Sequence, residues 1–234
     1  MSRCLPLDPS APDAAVIQEA AGVLRHGGVV AYPTDTVYGL AVDAMNETAI
    51  ARLYAIKRRP VEKALPLIIG ALAQLTQVSA GVPSRAEPLI ASFWPGPLTL
   101  LLEPHERVPA LLLGNSDRIG VRWPHALISQ QLALAVGRAI TASSANISGA
   151  PVALCASEVV AQLAPTVDLI LDGGPVPSAA VSTILDVTVD PPCLLRAGKI
   201  APSAIEAVLG GNLAWPPPGV PHSPEEPGRR GRSR

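Results

Sequence analysis

Six short segments of this 234-residue chain carry the polar side chains best suited to chemistry, and they fall beside apolar runs. They are PTDTVYGL at 33–40, KRRP at 57–60, VRWP at 121–124, SSANISG at 143–149, STILD at 182–186 and LLRAG at 194–198. Hydroxyls and amides of these types hold polar ligands, and an arginine fork donates two parallel hydrogen bonds to a carboxylate or phosphate. Signatures of other chemistries are missing: no G-x-x-x-x-G-K-[ST] loop, no G-x-G-x-x-G between a strand and a helix, no H-E-x-x-H. His26, His105, His125 and His222 fall in loop-like or helix-end contexts, and no Ser-His-Asp set can be argued. Taken singly, each segment has the composition of an ordinary turn.

The elements that must position these groups follow from periodicity. Ser10 and Pro12 open a helix that buries Val16, Ile17, Ala20, Val23 and Leu24 and ends at Gly27. VVAYP at 29–33 reads as a buried strand, with Thr34, Asp35 and Thr36 crowded at its end. Asn46 caps a second helix through Ile50, Leu53 and Ile56, which places Lys57 and Arg58 in its last turn before Pro60. There they also complement the helix dipole, which is the plainer reading of that basic pair. Strand-like runs follow at 65–69, 98–102, 119–123, 139–142, 167–171, 182–187 and 193–196, with helices near 71–78, 125–136, 157–164 and 202–209. This alternation predicts an α/β domain in which helices pack on a mixed, twisted sheet. Ligands in such folds bind beyond strand ends, so the six segments can converge on one pocket.

Composition bounds the rest. With 48% hydrophobic and 16% charged residues, the chain can bury one sizeable core. No apolar run reaches the length of a membrane span or signal peptide, so the expected location is cytoplasmic, with no membrane partner. Cys4, Cys155 and Cys193 lack a C-x-x-C pair, and no metal ligands are assigned. The net charge of −1 conceals Arg229, Arg230, Arg232 and Arg234 near the end, so the body is not a general polyanion binder. Its clearest basic cluster is Lys57, Arg58, Arg59 and Lys63. Residues 1–212 read as the catalytic domain and 213–234, rich in Pro and Arg, as a disordered tail.

In their order and spacing, PTDTVYGLA, the K-x-R-P segment, WPGPLTL, VRWP, SSANISG, DGG, VSTILD and LLRAG resemble the YrdC-like family, over residues 8 to 209 or so. The resemblance implies a single α/β domain around a deep cleft with an electropositive floor. It implies an L-threonylcarbamoyladenylate synthase, a nucleotidyltransferase making threonylcarbamoyl-AMP and pyrophosphate from L-threonine, bicarbonate or CO2, and ATP with Mg²⁺. The product would serve threonylcarbamoyladenosine modification of tRNA. By position, Thr34, Thr36, Tyr38, Arg122 and Ser182 would hold threonine, and Lys57, Arg59, Ser144, Asn146 and Arg196 would meet the nucleotide. Lys57, Arg59 and Arg196 would act in catalysis. Some relatives carry a histidine after the K-x-R-P segment, where this chain runs KALPLIIG and offers Gly70. The short form further implies separate threonylcarbamoyl-transfer proteins as partners. Two other readings are a carbamoyl-adenylate maker, whose usual flanking segments are missing here, and a non-catalytic module that grips tRNA or double-stranded RNA through phosphates.

Overall fold

The structure is a computed structural model that describes residues 2–176 and 181–216. Within these, the chain runs β1 (Arg3–Pro6), α1 (Ala14–Arg25), β2 (Val30–Pro33), β3 (Tyr38–Ala41), α2 (Glu47–Lys57), β4 (Leu67–Ile68), α3 (Glu87–Phe93) and β5 (Leu98–Leu102). It continues through α4 (Ala110–Leu113), β6 (Ile119–Arg122), α5 (Leu127–Val136), β7 (Ile140–Thr141), β8 (Ser143–Ser144) and α6 (Ala156–Leu163). The last elements are β9 (Leu169–Asp172), β10 (Thr183–Asp186), β11 (Cys193–Arg196) and α7 (Pro202–Leu209).

The expected mixed α/β architecture is present, with its strands divided between two sheets. One has the order β1-β9-β2-β3-β8 and the other β11-β10-β5-β6-β4-β7. The chain passes from one sheet to the other within five residues. Thr141 pairs with Leu67 in the second sheet, Ser143 and Ser144 pair with Leu40 and Gly39 in the first, and Ala142 between them donates to Pro66 O at 2.8 Å. Thr141 tightens the junction, since its hydroxyl donates to Leu40 O and accepts from Val42 N, both at 3.0 Å. Two apolar clusters fill the space around the sheets. The larger joins Leu40, Ile50, Leu53, Leu67, Leu100 and Val121, and the smaller sets α1 and α5 on the outer face through Ile17, Leu24, Ile128 and Leu132.

Local chemistry explains the helix starts, with one correction. Asn46 caps α2 as expected, accepting from Ala49 N at 3.0 Å. The cap of α1 is Asp13, which accepts from Ala15 N at 2.7 Å, because Ser10 instead donates to Asp8 in a tight turn. Residues 72–77 form a 3₁₀ helix where an α-helix is predicted. α3, which begins with Pro88 in its first turn, and the short α4 have no sequence expectation behind them, and neither do β1, β3 and β8. The folded body also extends past residue 212. Leu213 is buried, and Ala214 donates to Pro192 O and accepts from Leu194 N, both at 2.9 Å. Residues 217–234 of the expected tail lie outside the described residues. No described helix is long and apolar enough to cross a membrane.

Candidate active site

A cleft opens where the two sheets meet, with about 640 Å³ of empty space between its walls, open solvent at the mouth included. Its lining draws on the end of β2 and the turn to β3 (Tyr32, Thr34, Thr36), on β6 (Arg122), on β8 (Ser143, Ser144) and on the β10–β11 hairpin (Ser182, Arg196). Six predicted residues thus converge: Thr34, Thr36, Arg122, Ser144, Ser182 and Arg196.

Both cleft arginines are held before any ligand arrives. Arg122 donates to Asp35 Oδ1 at 2.9 Å and to Thr36 Oγ1 at 3.2 Å, and the ion pair is nearly sealed, with side chains 7% and 12% exposed. Thr34 in turn fixes the loop, donating to Val37 O at 2.7 Å and accepting from Thr36 N and Val37 N. Lys199 Nζ donates to Asp35 O at 2.9 Å, which ties the turn after β11 to the same loop. Arg196 donates through Nε to Ser182 O and through Nη2 to Ser182 Oγ, both at 3.0 Å. The turn after β11 lies flat on β10 because residue 198 is glycine. A side chain there would begin 2.5 Å from the Thr183 nitrogen. Thr183 Oγ1 closes this contact by accepting from Gly198 N and Ile200 N, each at 3.1 Å.

Four predicted residues lie behind the wall. Lys57 is 1% exposed, and its Nζ donates to Ser144 O, to Asn146 O at 2.9 Å and to Asn146 Oδ1 at 3.3 Å. It thereby anchors the SSANISG loop, which Ser148 N reinforces by donating to Lys57 O at 2.8 Å. Asn146 accepts from Ser144 Oγ and donates to Ala150 O at 2.7 Å, so its amide closes the same loop. Arg59 donates to Lys63 O at 3.3 Å and Ala64 O at 2.9 Å, holding the Pro60–Ala64 turn. Lys57 and Arg59, expected at the phosphates, are not among the residues that line this cleft, and the bonds above hold the loop and turn beside it. Tyr38, expected beside threonine, turns away and donates to Gly174 O at 2.8 Å. Burial raises its phenol well above the ordinary value, and it does the same at Tyr32, whose hydroxyl donates to Thr141 O at 3.0 Å. Both rings therefore serve as neutral donors.

The KALPLIIG segment presents Ile68 to the cleft. Gly70 instead packs against α5, where a side chain would begin 2.4 Å from Gln130 O. The sequence places Asp35 with Thr34 and Thr36 at a strand end but assigns it no role, and it assigns none to Thr99. Ser143 likewise has none, and its hydroxyl is buried without a partner among the described residues. Ser143→Ala is expected to raise stability by about 1 kcal/mol, because it removes an unsatisfied buried group. Urea unfolding of the variant checks this, and a stability loss would mean that the hydroxyl is bonded.

Residues 22–198 match the model of the Sua5/YciO/YrdC family, whose description reads telomere recombination. The chain belongs to the Sua5/YciO/YrdC family. It is 41% identical over 194 residues to a threonylcarbamoyl-AMP synthase of Pyrococcus abyssi, an alignment covering 83% of this chain and 57% of the relative. It is 38% identical over 196 residues to a threonylcarbamoyl-AMP synthase of Bacillus subtilis, covering 83% and 56%. The chain therefore spans little more than half the length of these relatives. Among solved structures, P. abyssi Sua5 complexed with L-threonine superposes with a TM-score of 0.88 at 37% identity, covering 92% of this chain and 63% of that one. The family's mixed α/β fold is thus present here, as the motif resemblance implied.

Proposed function

We propose that the chain condenses L-threonine, bicarbonate or CO2, and ATP into threonylcarbamoyl-AMP and pyrophosphate, in the cytoplasm, for threonylcarbamoyladenosine modification of tRNA. The observation that carries this reading is the joint presence in one cleft of Arg122, clamped by Asp35, and Arg196, clamped by Ser182. Two fixed cations suit two anionic substrate groups, a carboxylate and a phosphate chain. The names of the family relatives point to the same substrates.

The residues present fit a reaction run by placement and charge. Threonine's amine attacks CO2 to give a carbamate, and the carbamate oxygen displaces pyrophosphate from the α-phosphorus of ATP. Arg122 would hold the amino-acid carboxylate while Asp35 and Thr36 keep its fork in plane. Arg196 would face the phosphates, and the loop anchored by Lys57 would offer Ser144 to the nucleotide. Mg²⁺ would enter with ATP as part of the substrate, and no cluster of three or more His, Cys, Asp or Glu is placed to hold a metal among the described residues. Transfer to tRNA would fall to separate partner proteins.

Pyrophosphate release is expected to need threonine, bicarbonate and Mg·ATP together, because the carbamate must form before phosphorus is attacked. A coupled pyrophosphate assay with each substrate withheld in turn checks this. Equal release without bicarbonate would overturn the proposal, and a pure RNA-binding module would release none.

A further inference from the structure

Thr99 sits in the middle of β5, 4% exposed, and is part of the cleft lining. Its Oγ1 lies 2.9 Å from Ser182 Oγ, and this is the only hydrogen bond of its side chain among the described residues. Register explains the meeting. β5 and β10 run parallel with Thr99 opposite Ile184, so the start of β10 brings Ser182 alongside. The methyl group of Thr99 packs toward Gly120 of β6, lying 3.4 Å from where a side chain on that glycine would begin. With the methyl on that side, the hydroxyl is turned to Ser182.

Counting protons gives the arrangement a direction. Arg196 contributes only donors, and one of them goes to Ser182 Oγ at 3.0 Å. Thr99 and Ser182 carry one hydroxyl proton each, yet they share a single hydrogen bond. Whichever of the two donates within the pair, the other proton has no acceptor among the described residues, and both residues line the cleft. A buried hydroxyl proton seeks a partner, since leaving it unmatched is costly. The ligand atom facing this pair is therefore an acceptor. The guanidinium beside it favours an acceptor that is negatively charged.

We propose that Thr99 is a positioning residue that acts through Ser182 to aim one hydroxyl proton at an anionic oxygen of the ligand beside Arg196. The inference deepens the functional reading above and rests on it for the choice of ligand, whose anionic oxygen is either the carboxylate of threonine or a phosphate oxygen of ATP. Thr99→Val keeps the shape and removes the hydroxyl, and Thr99→Ser keeps the hydroxyl and removes the methyl.

The test is calorimetric titration of L-threonine, and separately of Mg·ATP, into the full chain and its Thr99→Val, Thr99→Ser, Ser182→Ala and Thr99→Val/Ser182→Ala variants, with a melting curve for each. Thr99→Val is expected to weaken one of the two ligands about tenfold while melting near the parent temperature, and Thr99→Ser to bind within about twofold of the parent. The ligand that weakens identifies the source of the oxygen. In the Ser182→Ala background, Thr99→Val is expected to have no further effect, as two residues acting through one bond are not additive. Unchanged binding of both ligands by Thr99→Val, equal losses in the Val and Ser variants, or additive losses in the double variant would each overturn the inference. If Thr99→Val does not fold, the Thr99→Ser and Ser182→Ala titrations decide, and a tenfold loss in Thr99→Ser counts against it. Failure of the functional reading looks different: the parent chain binds both ligands in the same titrations yet releases no pyrophosphate.

Discussion

Substitution of Lys57 by Met is expected to lower stability by about 3 kcal/mol and to weaken ATP-dependent turnover with it. Methionine matches the length of the lysine stem but has no donor, so the carbonyls of Ser144 and Asn146 would lose the ammonium that satisfies them in a buried site. A hydrogen bond from a charged donor is worth roughly 1.5–3 kcal/mol, and its loss leaves Asn146 O with no donor among the described residues, while Ser144 O keeps the Asn146 N–H at 2.9 Å. The loop they belong to carries Ser144 into the cleft, so loss of the anchor would reach the nucleotide proposed to bind there. A local reading of the sequence makes Lys57 a helix-end cation worth only ~0.3–1 kcal/mol. Urea unfolding and the ATP dependence of pyrophosphate release, measured on the same purified variant, separate the two. An unfolding midpoint equal to the parent's would refute the anchoring role, and a raised KM for ATP at full stability would return Lys57 to the phosphates.

The second large effect is expected at Arg122. Arg122→Ala should cut kcat/KM for L-threonine by about a hundredfold or more, since truncating one partner of a buried hydrogen-bonded charge pair costs roughly 2–5 kcal/mol. Part of any loss would come from the fold, because the substitution leaves the Asp35 carboxylate buried without its guanidinium. Asp35→Asn combined with Arg122→Ala removes that stranded charge. The double variant should recover stability and remain inactive. Arg122→Lys keeps the charge but not the fork and should rescue little, as a planar carboxylate is matched by paired donors. Recovery of turnover in the double variant would show that Arg122 serves the fold and not the substrate.

The cleft was legible in the sequence wherever function had gathered polar residues at the ends of apolar strands. Thr34, Thr36, Arg122, Ser144, Ser182 and Arg196 were all found that way, and all line the cleft. What could not be read was which way a side chain points. Lys57 closes a helix in the sequence, while its acceptors lie on residues 144 and 146, and only the folded chain brings them together. Tyr38 stands among the right neighbours but belongs to β3, and strand geometry turns its ring into the core. The strand itself was hidden because YGLA follows a polar cluster and contains a glycine, which weakens a strand signal. The two serines of β8 have no strand preference of their own and are held by pairing with Gly39 and Leu40. Helix starts followed chemistry most faithfully at Asn46, the expected cap, and drifted at α1, where Ser10 was expected and Asp13 accepts from Ala15 N.

The strand order of the first sheet has a consequence for how the molecule comes into being. β9 lies between β1 and β2 and pairs in parallel with both, so these two strands, neighbours in sequence, do not meet each other. β2 can pair with β3 as soon as the turn carrying Thr34, Asp35 and Thr36 closes, but its other edge and the whole of β1 wait for a partner encoded far downstream. Pairings between such distant segments form slowly, because the intervening chain must be gathered in first. The cleft is therefore a late product of synthesis. Until Leu169–Asp172 has emerged and inserted, β1 has no strand partner and one edge of the buried strand β2 stays open, and an open strand edge invites pairing with other chains.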